Sequence, residues 1–192
     1  MTKIKTGQFK GWVQIGNQIW MAENLNYRGV GSDSVGVCYL NHPDSCAKYG
    51  RLYIWAEVMN GASSSSSNPS GVQGICPVGW HVPSFAEWGR LIGFAGDWLI
   101  AGTKLRSQTG WNTCSVYIPG TDEYGFSALP GGRRDSNAST FRNAGIGGHW
   151  WSATESNASS GNANNIGIYC NERMGIYVSD KSNGFSLRCV KD

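Results

Sequence analysis

Three histidines and six cysteines are the side chains of this 192-residue sequence best suited to acid–base, nucleophilic or metal chemistry. His42, His81 and His149 lie far apart in the sequence, and no serine or cysteine stands beside them in the pattern of an activated nucleophile. His81 belongs to the segment 79–83, where a packed, hydrogen-bonded imidazole is favoured over a general base. We therefore expect a protein that is not an enzyme and has no cofactor, in which His149 contacts a ligand.

The cysteines stand at positions 38, 46, 76, 114, 170 and 189 and include no Cys-x-x-Cys pair. This spacing argues against a zinc ribbon and against a thioredoxin-like redox site. An even number of widely spaced cysteines favours disulfides and an oxidising compartment. The alternative is a set of buried free thiols in a reduced protein.

The composition is low in charge and rich in glycine and tryptophan. Only 15% of the residues are charged, while 27 are glycine and nine are tryptophan. This favours a loop-rich fold filled with aromatic side chains over a helical bundle. The net charge of +3, with Arg133 and Arg134 the only adjacent basic pair, predicts neither nucleic-acid binding nor membrane insertion. The length fits a single domain over residues 1–192.

The first residues do not predict a targeting segment. Met1 to Lys5 carry charge, but no apolar stretch follows, so no signal peptide or transmembrane segment is indicated. We expect a chain that lacks its leader, a piece of a longer protein, or a protein exported without a leader, as a virion component would be.

The polarity pattern near the N-terminus predicts a β-hairpin. Residues 9–15 alternate between polar and apolar, and residues 18–22 continue as the returning strand. Gly16 and Asn17 between them are a turn signal.

Two loops and a short helix are predicted next. Residues 28–50 are rich in Gly, Ser, Asn and Asp, which predicts a loop. Residues 51–60 carry apolar side chains at helical spacing. The serine-rich stretch 61–70 predicts a flexible, solvated loop rather than a boundary between domains.

The strongest helix signal follows in the middle of the chain. Ser84 and Glu87 form the capping-box pattern S-x-x-E ahead of an apolar-periodic stretch that ends near Gly96. Residues 80–82 predict a short strand that leads into this helix, and residues 97–125 are expected to be irregular.

The C-terminal third predicts short strands at 150–154, 166–169, 175–178 and 185–190, of which the last three could form a meander. With the two helices, this pattern predicts an α+β fold of short strands, two short helices and long loops, stapled by disulfides.

Six segments resemble, in order, the Fibrobacter succinogenes major paralogous domain family. They are Val13–Tyr27 (VQIGNQIWMAENLNY), Tyr49–Tyr53 (YGRLY), Cys76–Ser84 (CPVGWHVPS), Gly125–Gly132 (GFSALPGG), Trp150–Glu155 (WWSATE) and Gly184–Lys191 (GFSLRCVK). The resemblance covers nearly the whole chain. It implies a C-type-lectin-like fold, in the branch close to formylglycine-generating enzymes, and a bacterial surface or secreted module.

The same resemblance implies a disulfide pattern. Cys38 would pair with Cys46 in a loop, and Cys76 with Cys189 on the final strand. The second bond closes a long loop and would stabilise the fold by about 4–5 kcal/mol in the chain-entropy model. Cys114 and Cys170 depart from the family pattern. They either pair with each other or remain free thiols, and the resemblance does not decide between the two.

The resemblance also brings two chemistries to consider. Formylglycine-generating enzymes bind copper through a cysteine pair, but a structural disulfide explains Cys189 better. Lectin-type calcium binding needs clustered carboxylates and amides. The E-P-N and W-N-D signatures are absent, and residues 120–125 are explained by a turn. We therefore expect no metal site.

Most tryptophans are expected in the core rather than on a stacking surface for sugars or bases. The five assigned to the framework are Trp20, Trp55, Trp80, Trp88 and Trp151. For Trp98 and Trp111 the sequence does not decide between the core and the surface.

Domains of this type also serve as variable proteins of diversity-generating retroelements, which mutate adenines near the 3′ end of a gene. Asn codons thereby become Ser, Thr, Tyr, Asp, His, Gly, Arg or Cys codons. Eight of the fifteen Asn residues lie in the last 56 positions. The alternative is that Asn, Ser and Gly simply populate loops.

We therefore predict a ligand-binding or receptor-recognition display module, on a phage tail or bacterial surface, whose variable C-terminal surface meets a protein or glycan receptor. The alternative is an invariant adhesive or structural module of a secreted bacterial protein. The predicted ligand-binding residues are Arg134, Asp135, Arg142, Asn143, His149, Asn162, Asn164, Tyr169, Asn171, Arg173, Tyr177 and Ser179.

Overall fold

The computed structural model describes residues 11–29, 34–114, 118–156, 161–170 and 174–192. Its strands are β1 (Trp12–Ile15), β2 (Gln18–Met21), β3 (Trp80–His81), β4 (Gly131–Arg134), β5 (Phe141–Ala144), β6 (Gly147–Glu155), β7 (Asn162–Tyr169), β8 (Gly175–Asp180) and β9 (Val190–Lys191). Its helices are α1 (Pro43–Tyr49), α2 (Trp55–Met59), α3 (Phe85–Ala95), α4 (Ala101–Leu105) and a 3₁₀ turn over Tyr39–Asn41. No helix in the described ranges has the length and apolarity needed to span a bilayer.

The strands form two sheets. One has the order β1-β2-β9-β3, and the other has the order β5-β4-β6-β7-β8. The predicted α+β class and the N-terminal hairpin are confirmed. Trp12 pairs with Met21 and Ile15 with Gln18, and Gly16 has the positive φ of 60° that the tight turn requires.

The predicted meander is wrong in its last member. Strands β6, β7 and β8 form an antiparallel meander, but residues 185–190 do not join it. Phe185 instead pairs with Tyr53, and Ser186 pairs with Trp150. Val190 then enters the other sheet between β2 and β3. Short apolar segments of this kind carry no signal for which partner they will join.

Residues 28–50 and 97–125 are more regular than predicted. The 3₁₀ turn and α1 lie in the first range, and α4 lies in the second. Helix α1 begins with a proline and has Asp44 in its first turn, which suits a helix start. These helices are too short to show an apolar periodicity.

The serine-rich stretch 61–70 is largely exposed, as predicted, but it is held along β6 by hydrogen bonds. The Ser65 backbone N–H donates to the Ala153 carbonyl (3.0 Å), and the Thr154 hydroxyl donates to the Ser65 carbonyl (2.7 Å). At the end of the stretch, the Ser70 hydroxyl donates to the Val82 carbonyl (2.6 Å). The expectation of a flexible loop overlooked this docking, which depends on residues distant in sequence.

Two hydrophobic clusters flank the four-stranded sheet. One surrounds Met21, Trp151 and Phe185, and the other surrounds Trp20 and Trp88. The five tryptophans predicted to be in the core are buried. Trp98 and Trp111 are partly buried against the second cluster.

A buried polar hub joins the first and last parts of the chain. The Asn24 amide oxygen accepts from Trp150 Nε1 (2.7 Å) and from Arg188 Nη2 (2.9 Å). The Asn24 amide nitrogen donates to the Tyr49 carbonyl (2.8 Å). Arg188 also donates to the Phe126 carbonyl and stacks on that ring, with its guanidinium carbon 4.1 Å from the ring centroid. Burial lowers the pKa of Arg188 to about 9, so the guanidinium stays charged at neutral pH.

Asn24→Ala should therefore destabilise the fold strongly. It leaves the Arg188 charge and the Trp150 N–H short of an acceptor in the interior, which costs about 3–5 kcal/mol. Urea unfolding followed by tryptophan fluorescence measures the loss. Asn26→Ala, two residues away and half-buried, is the matched control and should cost less than about 1 kcal/mol. Equal losses in the two variants would show that the hub is unimportant.

The predicted packed role of His81 is confirmed. Its Nε2 lies 2.7 Å from Glu87 Oε1, and its Nδ1 lies 2.7 Å from Asp192 Oδ1. Burial disfavours the imidazolium, but the two carboxylates outweigh it, so the pKa of His81 is raised. The capping box is also present, because Glu87 Oε2 accepts from the Ser84 N–H (2.9 Å) and the Ser84 hydroxyl accepts from the Glu87 N–H (3.2 Å).

Three disulfides staple the fold. The predicted pairs Cys38–Cys46 and Cys76–Cys189 are confirmed. Cys114 pairs with Cys170, which resolves the alternative that the sequence left open. This third bond ties the segment after α4 to the end of β7.

Removing the disulfides singly, by Cys→Ala at both partners, should rank them by loop length. The sequence separations are 113, 56 and 8 residues for Cys76–Cys189, Cys114–Cys170 and Cys38–Cys46. The chain-entropy model gives losses of about 5, about 4 and about 2–3 kcal/mol, respectively. Chemical denaturation of the three double variants measures this order. A smaller loss for Cys76–Cys189 than for Cys38–Cys46 would contradict it.

Candidate functional site

One row of residues crosses all five strands of the larger sheet. Arg142 on β5 pairs with Arg133 on β4, and the parallel pairing of β4 with β6 places His149 beside Arg133. His149 pairs with Gly167 on β7, which pairs with Gly175 on β8. Laterally paired residues point to the same face of a sheet. The row therefore ends in two arginines on one side and in two glycines on the other.

The glycines allow tyrosine rings to lie against the backbone. A Cβ atom at Gly167 or Gly175 would come 2.7 or 2.9 Å from the Tyr177 ring, and one at Gly147 would come 2.8 Å from the Tyr169 ring. Such distances are too short for a real Cβ, so a larger residue would lift the rings. Both tyrosines are half-buried, with the remaining part of each side chain open to solvent.

A buried hydrogen-bond network supports the Tyr169 hydroxyl. The Asn165 amide nitrogen donates to the Ser179 hydroxyl (2.9 Å), which leaves the amide oxygen to accept from His149 Nδ1 (3.2 Å). His149 Nε2 then accepts from the Tyr169 hydroxyl (2.8 Å). The Asn143 amide nitrogen completes the chain at 3.4 Å from the same hydroxyl. The network assigns the Nδ1–H tautomer to His149 and fixes the direction of the phenol.

His149 is neutral at physiological pH. Its ring is buried and stacks on Phe185, with 4.9 Å between ring centroids. Burial lowers the pKa of His149 from 6.5 to about 4, and the nearby Arg133 charge acts in the same direction. Only the neutral ring can accept from Tyr169. A ligand would therefore reach His149 through Tyr169.

The depressed pKa gives a signed pH dependence. The unfolded chain takes up the His149 proton at pH values where the folded chain does not. The stability associated with this residue is thus present above about pH 6.5 and is lost as the pH falls towards about 4. His149→Gln should show a shallower fall in unfolding free energy over this window than the unmodified protein. His42→Gln, at an exposed position, is the control and should keep the full slope. Identical slopes for His149→Gln and the unmodified protein would contradict the buried neutral state.

Asp135 lies between the two arginines. Its Oδ1 is 3.0 Å from Arg133 Nε and its Oδ2 is 2.5 Å from Arg142 Nε. Partial burial disfavours the charged carboxylate, but the two guanidinium groups outweigh it and lower the pKa of Asp135. The Asp135 N–H also donates to the Thr140 carbonyl (2.8 Å), which closes the β4–β5 hairpin. The arginines are therefore oriented from a short turn.

We call the surface formed by these side chains the tyrosine–arginine face. Its solvent-accessible members, all half-buried or exposed, are Arg133, Asp135, Arg142, Asn143, Tyr169, Tyr177 and Ser179. Six of them were predicted from the sequence, and the structure brings these six together with buried His149.

Other predicted site residues lie elsewhere. Asn162 and Asn164 alternate with Ala163 and Asn165 on β7, and so point to the opposite face. Arg134 lies against Gly184, and its buried Nε has no hydrogen-bond acceptor in the described part of the chain. Asn171 and Arg173 lie outside the described residues.

Two members of the site were missed. The sequence prediction chose Arg134 instead of Arg133, although Asp135, two residues after Arg133 and just past the end of β4, bonds to Arg133. The sequence prediction chose Asn164 instead of Asn165, although Asn165 and Tyr169 are four residues apart on β7 and so point to the same face of the sheet. Period-2 counting from Asp135 and Tyr169 would have found both.

No group of three or more His, Cys, Asp or Glu side chains that could hold a metal ion occurs within the described ranges.

The fold and this face define a disulfide-stapled α+β protein with an organised polar surface on its larger sheet. The family model of the Fibrobacter succinogenes major domain matches residues 13–191, and the chain belongs to that family. A search of curated proteins and a search of solved structures each gave no match. The C-type-lectin-like fold stays a prediction with which the mixed architecture agrees.

Proposed function

We propose that this protein is a recognition module, not an enzyme, and that it binds a protein or glycan receptor through the tyrosine–arginine face. The observation that carries the proposal is the convergence of half-exposed Tyr, Arg, Asn and Ser side chains on a single face of a sheet. Tyr and Arg are the residues that most often dominate binding energy, while Asn and Ser adapt to the partner.

The support beneath the face favours binding without large rearrangement. Tyr169 is held by His149 and Tyr177 lies on glycine backbone, so little side-chain entropy remains to be lost when a partner binds. The three disulfides and the family membership agree with a module that works outside the cytoplasm, at a bacterial surface or on a phage tail.

We further propose that a retroelement diversifies this face. On β7, buried Ile166 and Ile168 precede half-buried Tyr169, and on β8 half-buried Tyr177 and Ser179 alternate with exposed Ile176 and Val178. Tyr169, Tyr177 and Ser179 belong to the substitution set, and changes at these partly exposed positions would alter the surface while leaving the core intact. A template repeat and a reverse-transcriptase gene beside this gene would support the proposal. Sibling genes that vary evenly along their length would favour the invariant adhesive or structural module instead.

Tyr177→Ala tests the binding face directly. On arrays of defined glycans and of cell-surface proteins, this variant should bind the partner of the unmodified protein at least about tenfold more weakly, a loss of about 1.4 kcal/mol. Tyr124→Ala is the matched control, because Tyr124 is a half-exposed tyrosine that packs on Phe94 beside the hydrophobic cluster around Trp20 and Trp88. Equal binding by both variants would place the binding surface elsewhere.

A further inference from the structure

The two arginines of the face present unused hydrogen-bond donors. Each guanidinium directs its Nε to Asp135, and no described residue accepts a hydrogen bond from the Nη groups of Arg133 or Arg142. An Nη1/Nη2 edge is a planar pair of N–H donors that fits the two oxygens of a carboxylate. The site therefore offers two pre-oriented carboxylate receptors.

The charge of this group favours an anion. Two guanidinium groups and one carboxylate leave a net charge of +1, and Asp135 has both of its oxygens engaged. Arg133 is 31% exposed and Arg142 is 56% exposed, so their free edges are open to solvent.

The tyrosine rings provide a second and different surface at a fixed distance. Two strand spacings across the sheet and two residues along it separate Arg133 on β4 from Tyr169 on β7, a span of about 12 Å. The rings rest on glycine backbone, with Asn143 and Ser179 as polar neighbours. A flat aromatic surface next to amide and hydroxyl groups suits a sugar ring, whose C–H face is apolar and whose edge carries hydroxyls.

We propose that the tyrosine–arginine face binds a carboxylate-bearing saccharide, with the acidic group on Arg133 and Arg142 and a neighbouring ring on Tyr169 and Tyr177. This proposal rests on the binding function proposed above and names its ligand class. A saccharide fits better than an acidic peptide, because these side chains lie on the broad face of the sheet. An extended peptide would pair with a free strand edge.

Isothermal titration calorimetry on the full chain tests the ligand class. The probes are trigalacturonate, its methyl ester, 3′-sialyllactose, lactose and a hexaglutamate peptide. We expect one acidic saccharide to bind at least tenfold more tightly than its neutral counterpart. The identity of that saccharide distinguishes a uronic acid from a sialic acid. Affinity should fall with added salt, because the arginines are partly exposed.

Three variants separate the contributions. Arg142→Gln should lower the affinity for the acidic saccharide at least fivefold and leave the affinity for the neutral counterpart unchanged. Arg90→Gln, which removes an exposed arginine on α3, should change neither. Tyr177→Leu should lower the affinities for the acidic saccharide and for its neutral counterpart by the same factor. Thermal unfolding of each variant verifies that the fold is retained.

The results that overturn the ligand class differ from those that overturn the binding face. Three results would reject a carboxylate-bearing saccharide as the ligand class. They are equal affinity for the acid and its ester, arginine-dependent binding of hexaglutamate alone, and no binding of any saccharide. The binding face itself survives these results if Tyr177→Ala still loses the partner found on the arrays. It falls if that variant and Tyr124→Ala bind alike.

Discussion

The fold depends on a buried charge that has no carboxylate within hydrogen-bond reach among the described residues. Arg188 is fully buried, and its guanidinium is held by the Asn24 amide oxygen, the Phe126 carbonyl and the Phe126 ring. A charge in the interior is tolerated only when its donors are satisfied with good geometry. The segment after the N-terminal hairpin, the segment before β4 and the segment before the last strand must therefore meet at one point. Trp150 shares the same amide oxygen, and this contact adds β6 to the hub.

The tyrosine–arginine face follows from that constraint. Once Trp150 is fixed at the hub, β6 has a defined register, and its alternate residue His149 points to the opposite side of the sheet from Trp150. His149 then positions Tyr169, and the glycines opposite it make room for Tyr177. The Cys114–Cys170 disulfide anchors the end of β7. Surface side chains can vary while these buried contacts keep their backbone positions.

The local elements were predictable where their signals are local. The hairpin around Gly16, the capping box of Ser84 and Glu87, and the strands at Trp150, Ile166 and Ile176 all depend on neighbours in sequence. The pairing of Phe185 with Tyr53 and the docking of Ser65 on Ala153 join residues more than eighty positions apart. No periodicity encodes such contacts, because every short apolar strand fits several sheet edges.

By itself, the sequence determined the family, the α+β class, two of the three disulfides, the buried tryptophans and most side chains of the tyrosine–arginine face. Motifs and alternation carry this information because they reflect burial and backbone geometry. The tertiary structure decided which predicted residues share a face. Asn162 and Asn164 were separated from Tyr169 by strand parity, and Arg133 replaced Arg134. It also showed that His149 is buried beneath Tyr169, since a linear sequence does not specify which neighbour covers a side chain.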